Sequence, residues 1–201
     1  MEQPLYRTEV DAWHGHQGYA IELVKKLKPE VIVELGVHKG DSLFSFCQGA
    51  AQYGGHVYGV DTWEGDKHAG FYDEEIFNQV AKYALETYPN TVTLMKMPFA
   101  EAVKDFEPNS IDLLHIDGLH TYEAVKADWE SWLPKVKQNG VVLFHDITVT
   151  HLDFGVRFLW EEIKQNYATA EFHHCNGLGI VSLDGNVEKI KVDTLDFDGA
   201  S

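Results

Sequence analysis

The chain has 201 residues, 44% of them apolar and 12% aromatic, which suits a domain with a substantial buried core and excludes a disordered chain. Its 32 acidic and 16 basic residues give a formal charge of −16, which excludes a general nucleic-acid or anionic-membrane binder, because both need basic surface. Two cysteines, Cys47 and Cys175, make no disulfide framework, and no stretch approaches the ~20 apolar residues of a transmembrane helix.

The opening Met1-Glu2-Gln3-Pro4 has neither the basic region nor the apolar run of a secretion signal, so a cytoplasmic protein is expected. With no internal repeat or linker, residues 1–201 read as one domain with an N-terminal helical segment over 1–30 and an acidic tail over 185–201. Ala20, Leu23, Val24 and Leu27 share one helical face within 12–28, and Pro29 ends that helix. An exposed helix here leaves a homodimer as a possible partner arrangement.

Val31–Leu35 then reads as a strand covered on both faces, opening on three β-branched residues. The turn Gly36-Val37-His38-Lys39-Gly40 follows, and Asp41 or Ser42 is placed to cap the next helix, near 41–53, where Cys47 falls on the apolar face. His56–Asp61 is a second strand, 62–72 a loop, 73–88 a helix, 91–95 a short strand and 99–106 a short helix. Ser110–Ile116 makes the fourth strand, and a helix over about 120–137 carries Val125, Trp129, Trp132 and Val136 as a core stripe.

Asn139-Gly140 turns the chain into a fifth strand, Val141–Phe144, and Val156, Leu159, Trp160 and Ile163 mark one more amphipathic helix. Strands at 170–175 and 178–183 flank Asn176-Gly177, a dipeptide suited to a tight hairpin, and 187–192 reads as a last strand before a frayed end. Strands alternating with helices require a parallel sheet with right-handed crossovers, to which the hairpin adds an antiparallel strand at one edge. The expected fold is α/β and Rossmann-like, with a mostly parallel seven-stranded sheet and helices on both faces.

A strand, a glycine turn and a helix start place free N–H groups where an anionic or nucleotide-like cofactor is held. The spacing is Glu-x-Gly-x-x-x-Gly, and His38 stands where the second glycine of the dinucleotide fingerprint would admit a pyrophosphate. A smaller cofactor is therefore expected. Asp61 ends the second strand 25 positions after Gly36, where a carboxylate can accept from ribose hydroxyls. Glu34 and Asp61 are carboxylates at the ends of apolar strands and need partners.

Four segments, each at a predicted strand end, resemble the class I S-adenosylmethionine-dependent methyltransferases, and among them the small-molecule and sugar O-methyltransferases. They are Val-Glu-Leu-Gly-Val-His-Lys-Gly-Asp-Ser-Leu, Gly-Val-Asp-Thr-Trp-Glu-Gly-Asp, Leu-His-Ile-Asp-Gly-Leu-His-Thr-Tyr and Gly-Val-Val-Leu-Phe-His-Asp. The resemblance spans about residues 12–183. It implies S-adenosylmethionine as cofactor, with Glu34, Gly36, Gly40 and Ser42 along its methionine portion. Asp61 would hold the ribose, with Thr62 and Trp63 beside the nucleoside, and adenine would sit near Met97-Pro98-Phe99. Trp63 also has a purely structural reading, as a plug at the sheet edge.

Asp117 and His120 after the fourth strand, and His145-Asp146 after the fifth, converge at the rim where the glycine turn opens, because adjacent strands lie ~5 Å apart. Methyl transfer to oxygen needs an activated hydroxyl, and a histidine base or a divalent metal supplies that. Catechol-type relatives bind magnesium through an Asp after strand four and an Asp-Asn pair after strand five. Asp117 and Asp146 match, and Ile147 replaces the Asn. A third metal ligand is thus left to His145, Thr148 or an acid of the 64–75 loop. His120 stands where those relatives place a lysine base, so it is the predicted general base, with His145 as substitute or ligand-orienting group. Asp117 borders both cofactor and acceptor. His68 belongs to a lid over the substrate. The acceptor is a small molecule, walled partly by Trp13, His14 and His16. Two rivals stand beside this reading: a metal-dependent hydrolase built on the same Asp and His cluster, and a cofactor-binding module without catalysis.

Overall fold

The computed structural model describes residues 2–192 and 198–200. The chain begins with an extended segment and a single 3-10 turn, Asp11–Trp13, that lead into α1 (Gln17–Leu27). The alternating units follow: β1 (Val31–Leu35), α2 (Asp41–Ala50), β2 (His56–Asp61), a small antiparallel hairpin of β3 (Gly65–Asp66) and β4 (Gly70–Phe71), then α3 (Glu74–Thr87) and β5 (Val92–Lys96). The second half contains α4 (Phe99–Ala102), β6 (Ile111–Ile116), α5 (Tyr122–Trp132), β7 (Val136–His145), α6 (Val156–Lys164), β8 (Ala168–Phe172), β9 (Leu178–Ser182) and β10 (Gly199–Ala200).

The main sheet runs β10-β8-β9-β7-β6-β1-β2-β5. From β5 to β7 the pairings are parallel, and β9 pairs antiparallel with both β7 and β8. The expected seven strands are present, and the two-residue β10 adds an eighth. The hairpin differs in one respect. Its second strand is inserted beside β7 and its first lies outside it, so the reversed strand is interior.

The two faces of the sheet carry separate cores. One packs Ile32, Val57, Leu113, Val141 and Leu143 under α1, α2 and Trp13. The other packs Val33, Leu35, Leu114, Val142 and Phe144 under Val125, Trp129 and Trp132 of α5 and under α6. That alternation along each strand is why the strands read as continuous apolar runs. Cys47 is fully buried, as its place on the apolar face of α2 predicts.

Several expectations change. The predicted helix over 12–28 starts only at Gln17, and α1 buries Tyr19, Ala20, Ile21, Leu23 and Val24 against α2, so the homodimer loses the exposed helix it rested on. Neither Asp41 nor Ser42 caps α2. Gly40 is the N-cap, and the Asp41 carboxylate accepts from the Thr8 N–H at 2.9 Å, which ties down the N-terminal segment. Asn139-Gly140 lies within β7, whose register shifts opposite Ile111 and Leu113. The strand expected over 187–192 is a 3-10 turn, Val187–Lys189, with Ile190 and Val192 buried behind it. Of the predicted tail, 193–197 and Ser201 lie outside the described residues.

Candidate active site

The strand order reverses between β1 and β6, and the loops that leave those two strands diverge to open a crevice. There a cavity of about 580 Å³ runs from the turn after β1 to the ends of β6 and β7.

At one end lies the turn Gly36–Gly40. Gly36 and Gly40 both have φ near +90°, and His38 is left-handed at φ +49°. A side chain on Gly36 would place Cβ 2.0 Å from the Asp117 carbonyl oxygen, so only glycine lets the two loops close on each other. Asp61 holds the turn from β2. Its Oδ2 accepts from the Val37 N–H at 2.9 Å and the His38 N–H at 3.0 Å, and its Oδ1 accepts from the Trp63 N–H at 2.8 Å. The His38 ring stacks on Tyr72, with centroids 4.8 Å apart.

Of the predicted cofactor residues, Gly36, Gly40, Ser42, Asp61, Thr62, Phe99 and Asp117 line the cavity, and Glu34 and Trp63 do not. Trp63 packs on Phe77 and donates its indole N–H to the His38 carbonyl at 3.0 Å, so the structural reading of this residue prevails. Glu34 lies a layer deeper, fully buried, with Oε1 2.9 Å from His115 Nδ1, its register neighbour on β6. Burial pushes the Glu34 pKa up, against the pull of His115.

At the other end, Asp117, His120, His145 and Asp146 meet as the sequence predicts. His120 Nε2 lies 2.8 Å from Asp146 Oδ2 and 3.4 Å from Asp117 Oδ1. His145 Nδ1 lies 3.3 Å from Asp117 Oδ1, and its Nε2 reaches the carbonyls of Cys175 at 3.0 Å and Ala12 at 3.3 Å. Both His145 nitrogens thus face acceptors. Burial opposes charge on this ring, but Asp117 and Asp146 outweigh it and hold its pKa well above the ordinary histidine value. Its place between two carboxylates and two carbonyls suits bracing the cluster more than taking a proton from an acceptor.

Burial likewise opposes charge on His120, but hydrogen bonds to Asp117 and Asp146 raise its pKa to about 9. Burial would raise the two carboxyls, yet His145 and His120 hold Asp117 well below the usual range and Asp146 at about 2. The shifts run in opposite directions, carboxyls down and imidazoles up, so each pairing favours a carboxylate against a protonated ring. The raised pKa favours the protonated ring, whereas a base must begin without that proton.

Asp117, His120 and Asp146 each offer one ligand atom, all within 4.8 Å of one another, and Asp146 Oδ1 is buried without a partner. The third member of any metal set here would be His120. The sequence reading had placed it as the base and sought the third ligand at His145, Thr148 or the 64–75 loop. Asp146 is itself left-handed, at φ +61°, and that turn aims its carboxylate back toward His120.

Two loops roof this end. The hairpin loop brings His68 to the cavity wall, where its Nε2 lies 2.5 Å from Asp153 Oδ1 and its ring packs against Phe154 at 4.4 Å. Lys67 also pairs with Asp153, and Phe154 stacks on His120 at 4.6 Å and 10°. Gly155 anchors the second loop by donating its N–H to the His120 carbonyl at 2.7 Å. His68 thus packs beside the cluster, with Asp153 and Phe154 as residues that no short-range pattern flags. Trp13 reaches the cavity wall, and His14 and His16 stand behind it, with His16 fully buried beside the Cys175 carbonyl.

Residues 33–147 match the family model described as a methyltransferase domain. An uncharacterized protein, y4gI, of Sinorhizobium fredii is 42% identical over 183 residues, which is 90% of this chain, and the chain spans about a fifth (20%) of that protein. Among solved structures, the O-methyltransferase TomG of Streptomyces achromogenes, in complex with SAM, matches with TM-score 0.67 at 12% identity over 90% of this chain and 92% of that one. An O-methyltransferase of Bacillus cereus in complex with SAH matches at 0.64, with 14% identity over 90% and 84% of the two chains. Spermidine synthase of Thermotoga maritima matches at 0.59, with 14% identity over 87% and 62%. At such identities these likenesses establish the fold alone.

Proposed function

Because the chain belongs to the methyltransferase-domain family, we propose that it moves a methyl group from S-adenosylmethionine to an oxygen of a small polar or sugar-containing acceptor. The observation that carries this reading is a single cavity joining the glycine turn to the Asp117, His120 and Asp146 cluster. A volume of about 580 Å³ suits a nucleoside-sized ligand with a small partner beside it.

The donor supplies an electrophilic sulfonium methyl. The chain supplies its seat. The methionine portion lies against Gly36, Gly40 and Ser42, and adenine lies against Phe99. Asp61 already accepts three N–H groups, and a carboxylate has about four acceptor positions, so one remains for a ribose hydroxyl. Thr62 lines the same stretch. Glu34 stays behind the wall, paired with His115.

Two carboxylates and one imidazole form a mixed donor set. Such a set suits manganese or another transition cation better than magnesium, which favours oxygen alone. Asp117, Asp146 and His120, once its ring has given up its proton, would hold such a cation, which would supply Lewis acidity to an acceptor hydroxyl. His145 keeps both carboxylates oriented. A second reading is favoured by the 2.8 Å contact between His120 and Asp146: a metal-free enzyme in which His120 takes the acceptor proton after losing its own. That version needs pH near or above about 9 for full base strength.

Isothermal titration with S-adenosylhomocysteine, with and without manganese and magnesium, tests the proposal. Saturable binding is expected, and manganese should bind through the cluster and vanish with EDTA. Binding of manganese without any binding of the homocysteine ligand at millimolar concentration would instead favour the hydrolase rival. Neither binding would leave the donor reading without support.

A further inference from the structure

His16 does not line the cavity, yet it shares a partner with a residue that does. Its ring is fully buried, and its Nε2 lies 3.2 Å from the Cys175 carbonyl oxygen. His145 Nε2 lies 3.0 Å from the same oxygen. A carbonyl has two lone pairs, so one donor from each imidazole satisfies it. Burial is the largest of the effects that push the His16 pKa down to about 3, so the ring is neutral and carries one proton. Because the carbonyl can only accept, that proton sits on Nε2. Nδ1, buried without a partner among the described residues, is the bare nitrogen.

The turn that presents this carbonyl is strained. Cys175, Asn176 and Gly177, between β8 and β9, are all left-handed, at φ +48°, +66° and +85°, and two of the three carry side chains. Such a turn persists only where its surroundings hold it. The Thr148 N–H donates to the Asn176 carbonyl at 3.0 Å on one side, and His16 holds the Cys175 carbonyl on the other. An imidazole turns easily about its last torsion, so the His145 ring takes its direction from the partners at its two ends. One end faces Asp117 and Asp146, at 3.3 and 3.5 Å, and the other faces the Cys175 and Ala12 carbonyls. We propose that His16 is a positioning residue: by donating to the Cys175 carbonyl it fixes the acceptor that sets the His145 ring, and through that ring the Asp117 and Asp146 carboxylates. The inference rests on the reading of this cluster as the acceptor end.

The first measurement needs no variant. Ring-nitrogen NMR of isotope-labelled, metal-free protein should show His16 as the Nε2–H tautomer with a bare Nδ1. The opposite tautomer overturns the assignment, because Nε2 could then not donate. His16→Phe keeps a ring of similar size beside Trp13 and Phe172 but removes the donor. The Nε2–H of His145 should then exchange with solvent about tenfold faster, and manganese affinity in isothermal titration should fall about tenfold. His16→Gln, whose amide reaches about as far as Nε2, should restore both to within about threefold of wild type. Melting curves confirm that each variant is folded. Unchanged exchange in folded His16→Phe overturns the proposal. So does an equal defect in folded His16→Gln, which would mark the bulk of the ring, not its donor, as what counts. Wild-type protein that shows the expected tautomer, with the expected exchange in the variants, but binds no manganese supports the positioning role and removes the cation from the proposed function.

Discussion

At the donor end of the cavity, position is set by main-chain geometry. Gly36 and Gly40 turn left-handed, three backbone N–H groups converge on Asp61, and the Asp117 carbonyl sits where a Gly36 side chain would be. At the acceptor end, position is set by charge. Two carboxylates and two imidazoles hold one another, and the roof above them closes through Lys67, His68 and Asp153. Backbone constraints of the first kind are stiff and insensitive to pH. Side-chain pairing of the second kind responds to protons, cations and substrate, which suits the end where a hydroxyl must lose a proton.

The sharpest way to break the contrast is Gly36→Ala. A Cβ would strike the Asp117 carbonyl at 2.0 Å, at a φ of +92° that side chains rarely adopt. A loss of more than about 2 kcal/mol in denaturant unfolding is expected, together with loss of S-adenosylhomocysteine binding. Normal stability and affinity in this variant would show that the turn is not geometrically fixed. Asp61→Ala ranks next. It frees three N–H groups at once, so stability should fall by about 2 kcal/mol and ligand affinity should fall as well. Loss of ligand binding without any loss of stability would mean that ribose contact is the sole task of Asp61.

The same contrast explains what the sequence made legible. Apolar strands and glycine turns are local, so β1, β2, β6 and β7 and the meeting of Asp117 with Asp146 could be read from periodicity and strand order. The place of Asp61 at the end of β2, on the cavity wall, was equally readable, but its grip on Val37 and His38 was not, because that depends on how the turn folds back. Trp63 looked like a cofactor wall, yet its left-handed backbone (φ +53°) points the indole toward His38 and Phe77. The pairing of His68 with Asp153 joins residues 85 positions apart on two loops, and no periodic signal connects them. His120 was found, but its state was not. Burial would lower its pKa, and hydrogen bonds to Asp117 and to Asp146, which follows β7, together raise it.

A smaller effect is expected from pH. The folded pKa of His120 lies at about 9, above its ordinary 6.5, so its pairing stabilises the metal-free protein fully below about pH 6.5 and fades as pH rises through about 9. Asp146, held at about 2 instead of 3.8, contributes stability that is present above about pH 4 and lost as pH falls through about 2. The increment at His120 is on the order of 3 kcal/mol at most, since the ring is 13% exposed and shares two carboxylates. Asp146→Asn should flatten the alkaline fall in melting temperature, abolish manganese binding and leave S-adenosylhomocysteine affinity within about threefold. A wild-type alkaline fall that survives unchanged in the variant would place its origin outside the cluster.

The mildest perturbation is Asp153→Ala, which tests whether the roof is a separate, weakly held part of the acceptor end. Asp153 is exposed and pairs with Lys67 and with His68, whose ring is almost wholly covered. Exposed ion pairs contribute little to global stability, so the melting temperature should not change measurably. Locally the effect is larger, because the small hairpin formed by β3 and β4 has only two paired residues on each strand and little else to hold it down. Amide hydrogen exchange over residues 65–71 should therefore accelerate in the variant, and S-adenosylhomocysteine should dissociate faster with little change in its association rate. Exchange across the turn Gly36–Gly40 should stay as in the wild type, since Asp61 holds it from below. Faster exchange at both ends would mean that the roof and the donor seat open as one unit.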